Sequence, residues 1–461
     1  MPRIFVSNFD FEHELAGAHS APEQNAPDWF GAIRRGKSPA RESHSDLAWV
    51  WMAIAEAEDV IVTECEIDPA DFAPLARMGL PIPRFCKTTE PLPAEADWQS
   101  VPWGWIESLR RVATERGWGC RAPSVDVVRR VNSREYRFGL EREWNVGLDG
   151  AALAHSIDEL ETAIRELSQN PRGWILKANY GMSGREAIRG RGHALEGNVR
   201  NWAQRRLTGS GPIVCEPIVE RIAEAGIQIE IPREGAPQLV GVTPLLVDGS
   251  GVYRGSRFGC SAEKDACWRP AIDAGLRTAT ELQRLGYFGP LGTDAMQYRD
   301  AAGELRLRPL QDLNARYTMG RLALGFCRLL PVRQANRGGL VCGGESMNII
   351  TLPPLVPPYE GGEDVMRGAM TDFVDDPSDA NGCGTWLYFG DRHLAGRELW
   401  DWLAAMKSAL PGDVIAIPAS PRSGRFSQHR SIVVLAPTEE MRDEAEKNLL
   451  ESLGINVGRI V

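Results

Sequence analysis

No apolar run in this 461-residue chain approaches the ~20 residues that a bilayer-spanning helix needs, so no membrane-embedded segment is expected. There is no Lys/Arg-rich tract either: 52 Lys and Arg against 62 Asp and Glu leave a formal charge of −10. That balance argues against nucleic acid or an anionic membrane as a general partner. No C-x-x-C pair occurs among the nine cysteines, whose odd number and scatter disfavour a disulfide framework or a zinc site and suit a reducing compartment. Internal repeats and long low-complexity tracts are missing. So is a signal-peptide layout, because Met1-Pro2-Arg3-Ile4-Phe5-Val6 enters a strand-like run at once, and a soluble cytoplasmic protein is expected. What is present is an ordinary globular mixture, 43% hydrophobic and 25% charged. At roughly 150 residues per domain, its length suggests about three domains.

The N-terminal 125 or so residues read as a small α/β unit. A strand at 3–7 is followed by helix-like spacing at 47–56 (Leu47, Val50, Trp51, Ile54) and a buried-strand run at 59–64. Prolines at 81, 83, 91 and 93 mark irregular chain before a Trp-rich stretch at 98–105. Helices are expected at 133–143 and at 156–167, the second with Ser156 as N-cap and Glu159 three residues on. A strand at 173–178, a Gly-rich segment, a helix near 198–207 and a strand at 212–216 follow. A meander over 228–258, a helix at 271–285 and a hairpin pairing 292–299 with 304–313 come next. Beyond a Gly- and Pro-rich break at 337–362, strand, helix, two strands and helix read as a small α+β appendix.

Three groups of residues carry chemistry. Lys177 ends an apolar strand and is followed by Asn179-Tyr180-Gly181-Met182-Ser183-Gly184-Arg185. A strand-end ammonium beside a short glycine loop suits a polyphosphate, since glycines let backbone N–H groups approach the oxygens. The P-loop order G-x-x-x-x-G-K-[ST] is absent. Asp312 and Asn314, two apart, share one face of a strand, and the short turn at 300–303 can set Asp294 beside them. Three such oxygens suit Mg²⁺, which leaves the rest of its octahedron to phosphates and water. The third group is Val214-Cys215-Glu216-Pro217-Ile218-Val219-Glu220, a strand ending in a Pro-kinked connector flanked by carboxylates. Taken singly, each group also reads as a solvated loop, a polar sheet face or a strand end.

Their order and spacing resemble the ATP-grasp superfamily over roughly residues 131–325. The resemblance implies an ATP-grasp fold of two α+β subdomains (131–209 and 210–340). A Rossmann-like α/β pre-ATP-grasp domain (1–130) would precede them, and a small α+β C-terminal domain (341–461) would follow. It implies that Lys177 holds ATP phosphates under a lid loop of Gly181, Ser183 and Gly184. Glu216 and Val219 would frame the adenine, with Glu220 on the ribose. Asp294, Asp312 and Asn314 would hold Mg²⁺, or Mn²⁺ in its place, and Arg316 would face the reacting carboxylate or acyl phosphate. Two positions depart from the family pattern. Arg134 stands where a lysine is usual, and a guanidinium contacts phosphate with a different shape. Asp312 stands where glutamate is usual, one methylene shorter.

The implied activity is ATP-dependent ligation of a small-molecule carboxylate to an amine through an acyl phosphate, with amino acids or a peptide among the candidate substrates. Other readings are activation of bicarbonate or a small acid without amide formation, and a non-catalytic nucleotide-binding protein. Arg254 and Arg257 are candidates to clamp a substrate carboxylate, the alternative being a solvated basic hairpin. The run Asn8-Phe9-Asp10-Phe11-Glu12-His13-Glu14 follows the first strand, where open α/β sheets place ligands, and also reads as a capped helix start. Pro102-Trp103-Gly104-Trp105 reads as pocket lining or packing, and Arg422, Arg425, His429 and Arg430 as a cluster over the site or a solvated loop. A homo-oligomer is compatible with all of this.

Overall fold

The structure, a computed structural model, describes residues 1–17, 47–63, 66–87, 90, 98–181, 186–249, 251–259, 266–330, 382–394, 398–421 and 429–456. The N-terminal part runs β1 (Arg3–Val6), α1 (Phe11–Gly17), a 3₁₀ segment (Ala48–Ala53), β2 (Val60–Thr63), α2 (Ala73–Arg77), β3 (Arg84–Lys87), β4 (Gln99–Pro102) and α3 (Glu107–Glu115). Its four strands form a parallel sheet in the order β3-β2-β1-β4. The helix expected at 47–56 is the 3₁₀ segment. Each of its six residues is buried, so it has no polar face to turn to water as an amphipathic α-helix would.

The next part contains α4 (Val125–Val131), α5 (Arg134–Trp144), β5 (Ala152–Ala154), α6 (Ile157–Glu166), β6 (Trp174–Ala178), β7 (Ala187–Gly190), α7 (Gly197–Gly209) and β8 (Ile213–Pro217). Its antiparallel sheet, in the order β5-β8-β6-β7, packs on the helices through Leu160, Ile164, Trp174, Leu176, Ile213 and Cys215. Ser156 caps α6 by accepting from the Glu159 amide, while the Glu159 carboxylate accepts from the His155 amide at 2.8 Å.

The remaining elements are β9 (Glu220–Ile231), β10 (Gln238–Val247), β11 (Tyr253–Phe258), α8 (Arg269–Arg284), β12 (Gly289–Arg299), β13 (Leu305–Asn314), α9 (Met319–Gly325), β14 (Cys383–Gly390), α10 (Leu399–Met406), β15 (Ile415–Pro418), β16 (His429–Ala436) and α11 (Glu439–Ser452). All eight strands join one sheet, in the order β13-β12-β9-β10-β11-β14-β16-β15. The C-terminal strands are therefore no appendix with a sheet of their own: β14 pairs antiparallel with β11, Arg257 opposite Thr385.

The N-terminal part and this large sheet share a hydrophobic core. Trp49 meets Trp386 edge to face at 6.4 Å, and Trp51 meets Tyr317 at 5.0 Å. The approach is close enough that a Cβ on Gly325 would lie 2.1 Å from the Ala53 carbonyl oxygen. Trp103 belongs to this packing, against Phe9 and Trp51.

Candidate active site

Three parts of the chain meet at a small cleft lined by Glu12, Asn132, Arg134, Asn179, Gly181, Asp312, Leu313 and Asn314. Local sequence explains how each wall is set. On β6, Trp174, Leu176 and Ala178 point into the core, which turns Lys177 to the opposite face. On β8, Ile213 and Cys215 fill the same core, and Glu216 emerges on the face that Lys177 occupies. The Lys177 ammonium lies 2.8 Å from Glu216 Oε2.

Glu216 belongs to a buried ion network. Arg137 donates to Glu141 and, at 3.1 Å, to Glu216; Arg308 donates to Glu141 at 2.6 and 2.9 Å and to Glu216 at 2.7 and 3.2 Å. With Lys177, three cations face two carboxylates. Burial alone would raise the Glu216 carboxyl, but Arg308, Lys177 and Arg137 hold it well below the usual carboxylate range. Burial draws Lys177 below its ordinary ammonium value, Glu216 opposing and Arg308 and Arg137 adding to it. The Glu216 side chain is thus turned inward onto three cations, which leaves only its backbone groups to face a base.

Arg134 opens α5, where Ser133 is the N-cap. Its guanidinium donates to the carbonyls of Ala178 (2.6 Å) and Gly181 (3.3 Å) and lies 3.7 Å from Asp312 Oδ2. Gly181 admits no side chain: a Cβ there would lie 2.7 Å from Glu186 Cβ and 3.0 Å from Arg134 Nη1. Ser183 and Gly184 lie outside the described residues.

The β12–β13 hairpin sets Asp294 directly opposite Asp312, and Gly292 opposite Asn314. Farther along, the register slips so that Met296 faces Arg308. Pro309 has no N–H for the ladder and stands inside this slip. The irregularity lets Arg308 and Asp312 share the site while Leu310 enters the core. Asn314 donates to Asp294 Oδ2 at 3.4 Å and accepts from Arg316 Nη2 at 2.8 Å. Burial, then the charges of Asp312 and Glu224, push Asp294 up to about 7. Asp312 moves the other way: burial raises it, but Arg134, Arg137 and Lys177 bring it below its ordinary value.

This donor set fits Mg²⁺. Like charges directly opposite each other on paired strands repel, and a divalent cation between them removes the conflict. Among the described residues no group of three or more His, Cys, Asp or Glu side chains could hold a metal by itself. Two carboxylates and one amide suit an ion that takes its remaining oxygens from phosphate and water.

Arg316 is held from three sides: Nε donates to Glu12 Oε1 (2.8 Å), Nη1 to the Tyr317 carbonyl (2.9 Å) and Nη2 to Asn314. Asn132 fixes the chain just before it, accepting from the Ala315 amide at 2.9 Å and donating to the Ala315 carbonyl at 3.4 Å.

The other expected site residues lie apart from this cluster. Glu220 pairs with Arg172 at 2.5 Å near the surface, and Val219 lies half-buried on the connector to β9. Arg254 and Arg257 are not a free clamp: Arg254 pairs with Asp248 at 2.7 Å, and Arg257 pairs with Glu446 (2.5 Å) and Asp443 (3.0 Å). Their strand β11 is separated from β12 by β9 and β10. His429 stacks on Tyr388 and Arg430 is buried, both on β16 toward the far edge of the sheet; Arg422 and Arg425 lie outside the described residues. Sequence reasoning missed Arg137, Glu141 and Arg308, although the i,i+4 pair Arg137–Glu141 on an expected helix was a readable signal. It also missed Asn132, whose role depends on a contact 183 residues away.

A comparison with protein-family models finds no match. The chain is similar to the butirosin acyl-carrier protein–L-glutamate ligase of Niallia circulans, 29% identical over 206 residues. The match takes in 43% of this chain and 46% of the relative, so it spans under half the relative's length. Among solved structures it is similar to N5-carboxyaminoimidazole ribonucleotide synthetase from Thermus thermophilus, with a TM-score of 0.50 and 12% identity over 88% of this chain and 96% of that one. It is also similar to the biotin carboxylase domain of Hydrogenobacter thermophilus 2-oxoglutarate carboxylase in complex with MgADP, ADP and bicarbonate. There the TM-score is 0.50 and the identity 13%, over 99% of this chain and 90% of that one. At such identities the likeness is one of fold.

Proposed function

We propose that this chain, whose fold is that of the ATP-grasp superfamily, is an ATP- and Mg²⁺-dependent ligase joining a carboxylate to an amine through an acyl phosphate. One observation carries the reading. Arg134, Asp312 and Asn314 line one cleft, Asp294 and Arg316 hydrogen-bond with Asn314, and the Lys177 charge acts on the Asp312 carboxylate, so cations suited to phosphate, oxygens suited to Mg²⁺ and a buttressed guanidinium come together from distant parts of the chain.

A carboxylate is a poor electrophile. Its oxygen attacks the γ-phosphorus of ATP, ADP leaves, and the acyl phosphate formed is then attacked at carbon by an amine. Phosphate leaves with the C–O bond electrons, and the amine gives up a proton. The protein's part in such a transfer is positioning and charge compensation. Lys177 exchanges Glu216 for a phosphate oxygen, and Glu216 keeps Arg137 and Arg308 as partners. Arg134 adds a second cation from the head of α5. Arg316 has two N–H groups beyond the three its neighbours use, and these serve the oxygen of the reacting carbonyl. Mg²⁺ held by Asp294, Asp312 and Asn314 would supply charge neutralisation at the phosphates.

The test is ADP release in a screen of carboxylates and amines, singly and in pairs, with mass detection of products. L-Glutamate and an acyl-carrier protein come first, because the relative's activity names them. Release requiring two components, and ¹⁸O passing from the carboxylate into phosphate, is the expected result. Asp312→Ala should lower kcat by roughly 100-fold or more, the scale of losing one preorganised charge-stabilising group. Turnover that survives this substitution, or ADP release that needs no carboxylate, would overturn the reading.

A further inference from the structure

The run Asn8-Phe9-Asp10-Phe11-Glu12-His13-Glu14 resolves into residues with different tasks. Asn8 holds the 103–104 turn, donating to the Gly104 carbonyl at 2.7 Å and accepting from the Trp103 amide at 2.9 Å. Glu14 accepts from the Ser108 hydroxyl (2.7 Å) and amide (3.2 Å) at the start of α3. Phe9 and Phe11 are core. Glu12 is different, since it lines the cleft although it belongs to the N-terminal part.

Glu12 is 5% exposed, and its Oε1 is taken by Arg316 Nε. Its Oε2 is buried and has no hydrogen-bond partner. A guanidinium beside a carboxylate ordinarily closes the two-bond fork, which would satisfy both oxygens. Here the fork is left open, because Arg316 spends Nη2 on Asn314 and Nη1 on the Tyr317 carbonyl. The other lining side chains have partners: Asn132 binds Ala315, Asn179 accepts from the Glu135 amide, and Arg134 donates to two carbonyls. Among the described residues lining the cleft, Glu12 alone keeps a buried side-chain oxygen without a donor.

We propose that Glu12 Oε2 binds the ammonium of an α-amino acid whose own carboxylate faces Arg316, so that the acid activated in this cleft is an amino acid. The inference rests on the ligase reading for the role of Arg316. An ammonium and a carboxylate one carbon apart are the charge-reversed image of a carboxylate and a guanidinium in contact. A zwitterion therefore complements the Glu12–Arg316 pair where a simple acid would answer only half of it. An ammonium also supplies the N–H donor that the open oxygen lacks, and buried acceptors discriminate strongly against ligands without the matching donor.

The test is calorimetric binding to the full chain with Mg²⁺ and a non-hydrolysable ATP analogue. The probes are the twenty common L-amino acids, with glutarate and propionate as the ammonium-free counterparts of L-glutamate and L-alanine and further counterparts for each binder. At least one amino acid should bind tenfold or more tighter than its counterpart. Glu12→Gln, which keeps an acceptor for Arg316, should erase that preference by weakening the amino acid tenfold or more and its counterpart less than twofold. Glu12→Asp should restore part of it. No preference in the unaltered protein overturns the assignment even if the variants fail to fold, as does equal weakening of both probes by Glu12→Gln, the mark of a purely positioning role. Ammonium-dependent binding without ADP release would sustain Glu12 and sink the ligase reading. ADP release with simple acids bound as tightly as amino acids would do the reverse.

Discussion

Asp294 carries the strongest conflict between stability and use. Its carboxyl sits near 7 in the fold, against 3.8 in an open chain, because it is buried opposite Asp312. The native state therefore holds a proton that the unfolded chain gives up at lower pH. Asp294's contribution to the stability of the metal-free protein falls as pH rises between about 4 and 7, by an amount on the order of a few kcal/mol. Asp294→Asn should melt higher than the unaltered protein at pH 8 in chelator, with the gap closing below pH 4. The same variant should lose activity, and a lower melting point at pH 8 would contradict the charge argument. Arg308 is the opposite case, a cation that four contacts hold between two buried carboxylates. Arg308→Met leaves Glu141 and Glu216 short of charge and should cost roughly 3–5 kcal/mol in denaturant unfolding. Both residues are plain in the sequence, but which of them is strained and which satisfied depends on neighbours it does not display.

At the scale of elements, α5 links local code to the site. Ser133 Oγ accepts from the Tyr136 amide at 3.1 Å, fixing the turn from which Arg134 reaches the cleft. Ser133→Ala and Ser156→Ala each remove one N-cap, and each should cost about 1 kcal/mol. Only the first should also raise the KM for ATP, because α6 presents no cleft residue; equal KM changes would detach α5 from the nucleotide. Such elements are legible because capping and apolar periodicity act over a few residues. The helix expected at 133–143 is observed at Arg134–Trp144, and that at 156–167 at Ile157–Glu166. The register slip at Pro309 was not legible. A hairpin's hydrophobic alternation sets which face is buried, whereas a bulge appears only when the partner strand is in place.

At the scale of the whole molecule, the C-terminal strands complete the large sheet. Without them and helix α11, β11 would be an open edge, Arg257 would lose Glu446 and Asp443, and Trp49 would lose Trp386. A chain ended at residue 340 should therefore be insoluble or lack a cooperative unfolding transition, as read by circular dichroism and size-exclusion chromatography. A soluble, cooperatively folding fragment would mark 341–461 as a separable domain.

The sequence by itself determined an α/β N-terminal unit, the capped helices at 133–143 and 156–167, the 292–313 hairpin and the candidate phosphate and metal residues, because strand alternation, caps and turn residues act locally. It also held the polar run at 8–14 without saying which member mattered. Only the tertiary structure decided that Glu12 reaches Arg316, 304 residues away, that Glu216 turns inward to three cations, and that Arg257 pairs with the C-terminal helix α11. The reason is physical. A charged side chain's role is set by the charges it meets when water is removed, and those partners are brought together by packing among distant segments.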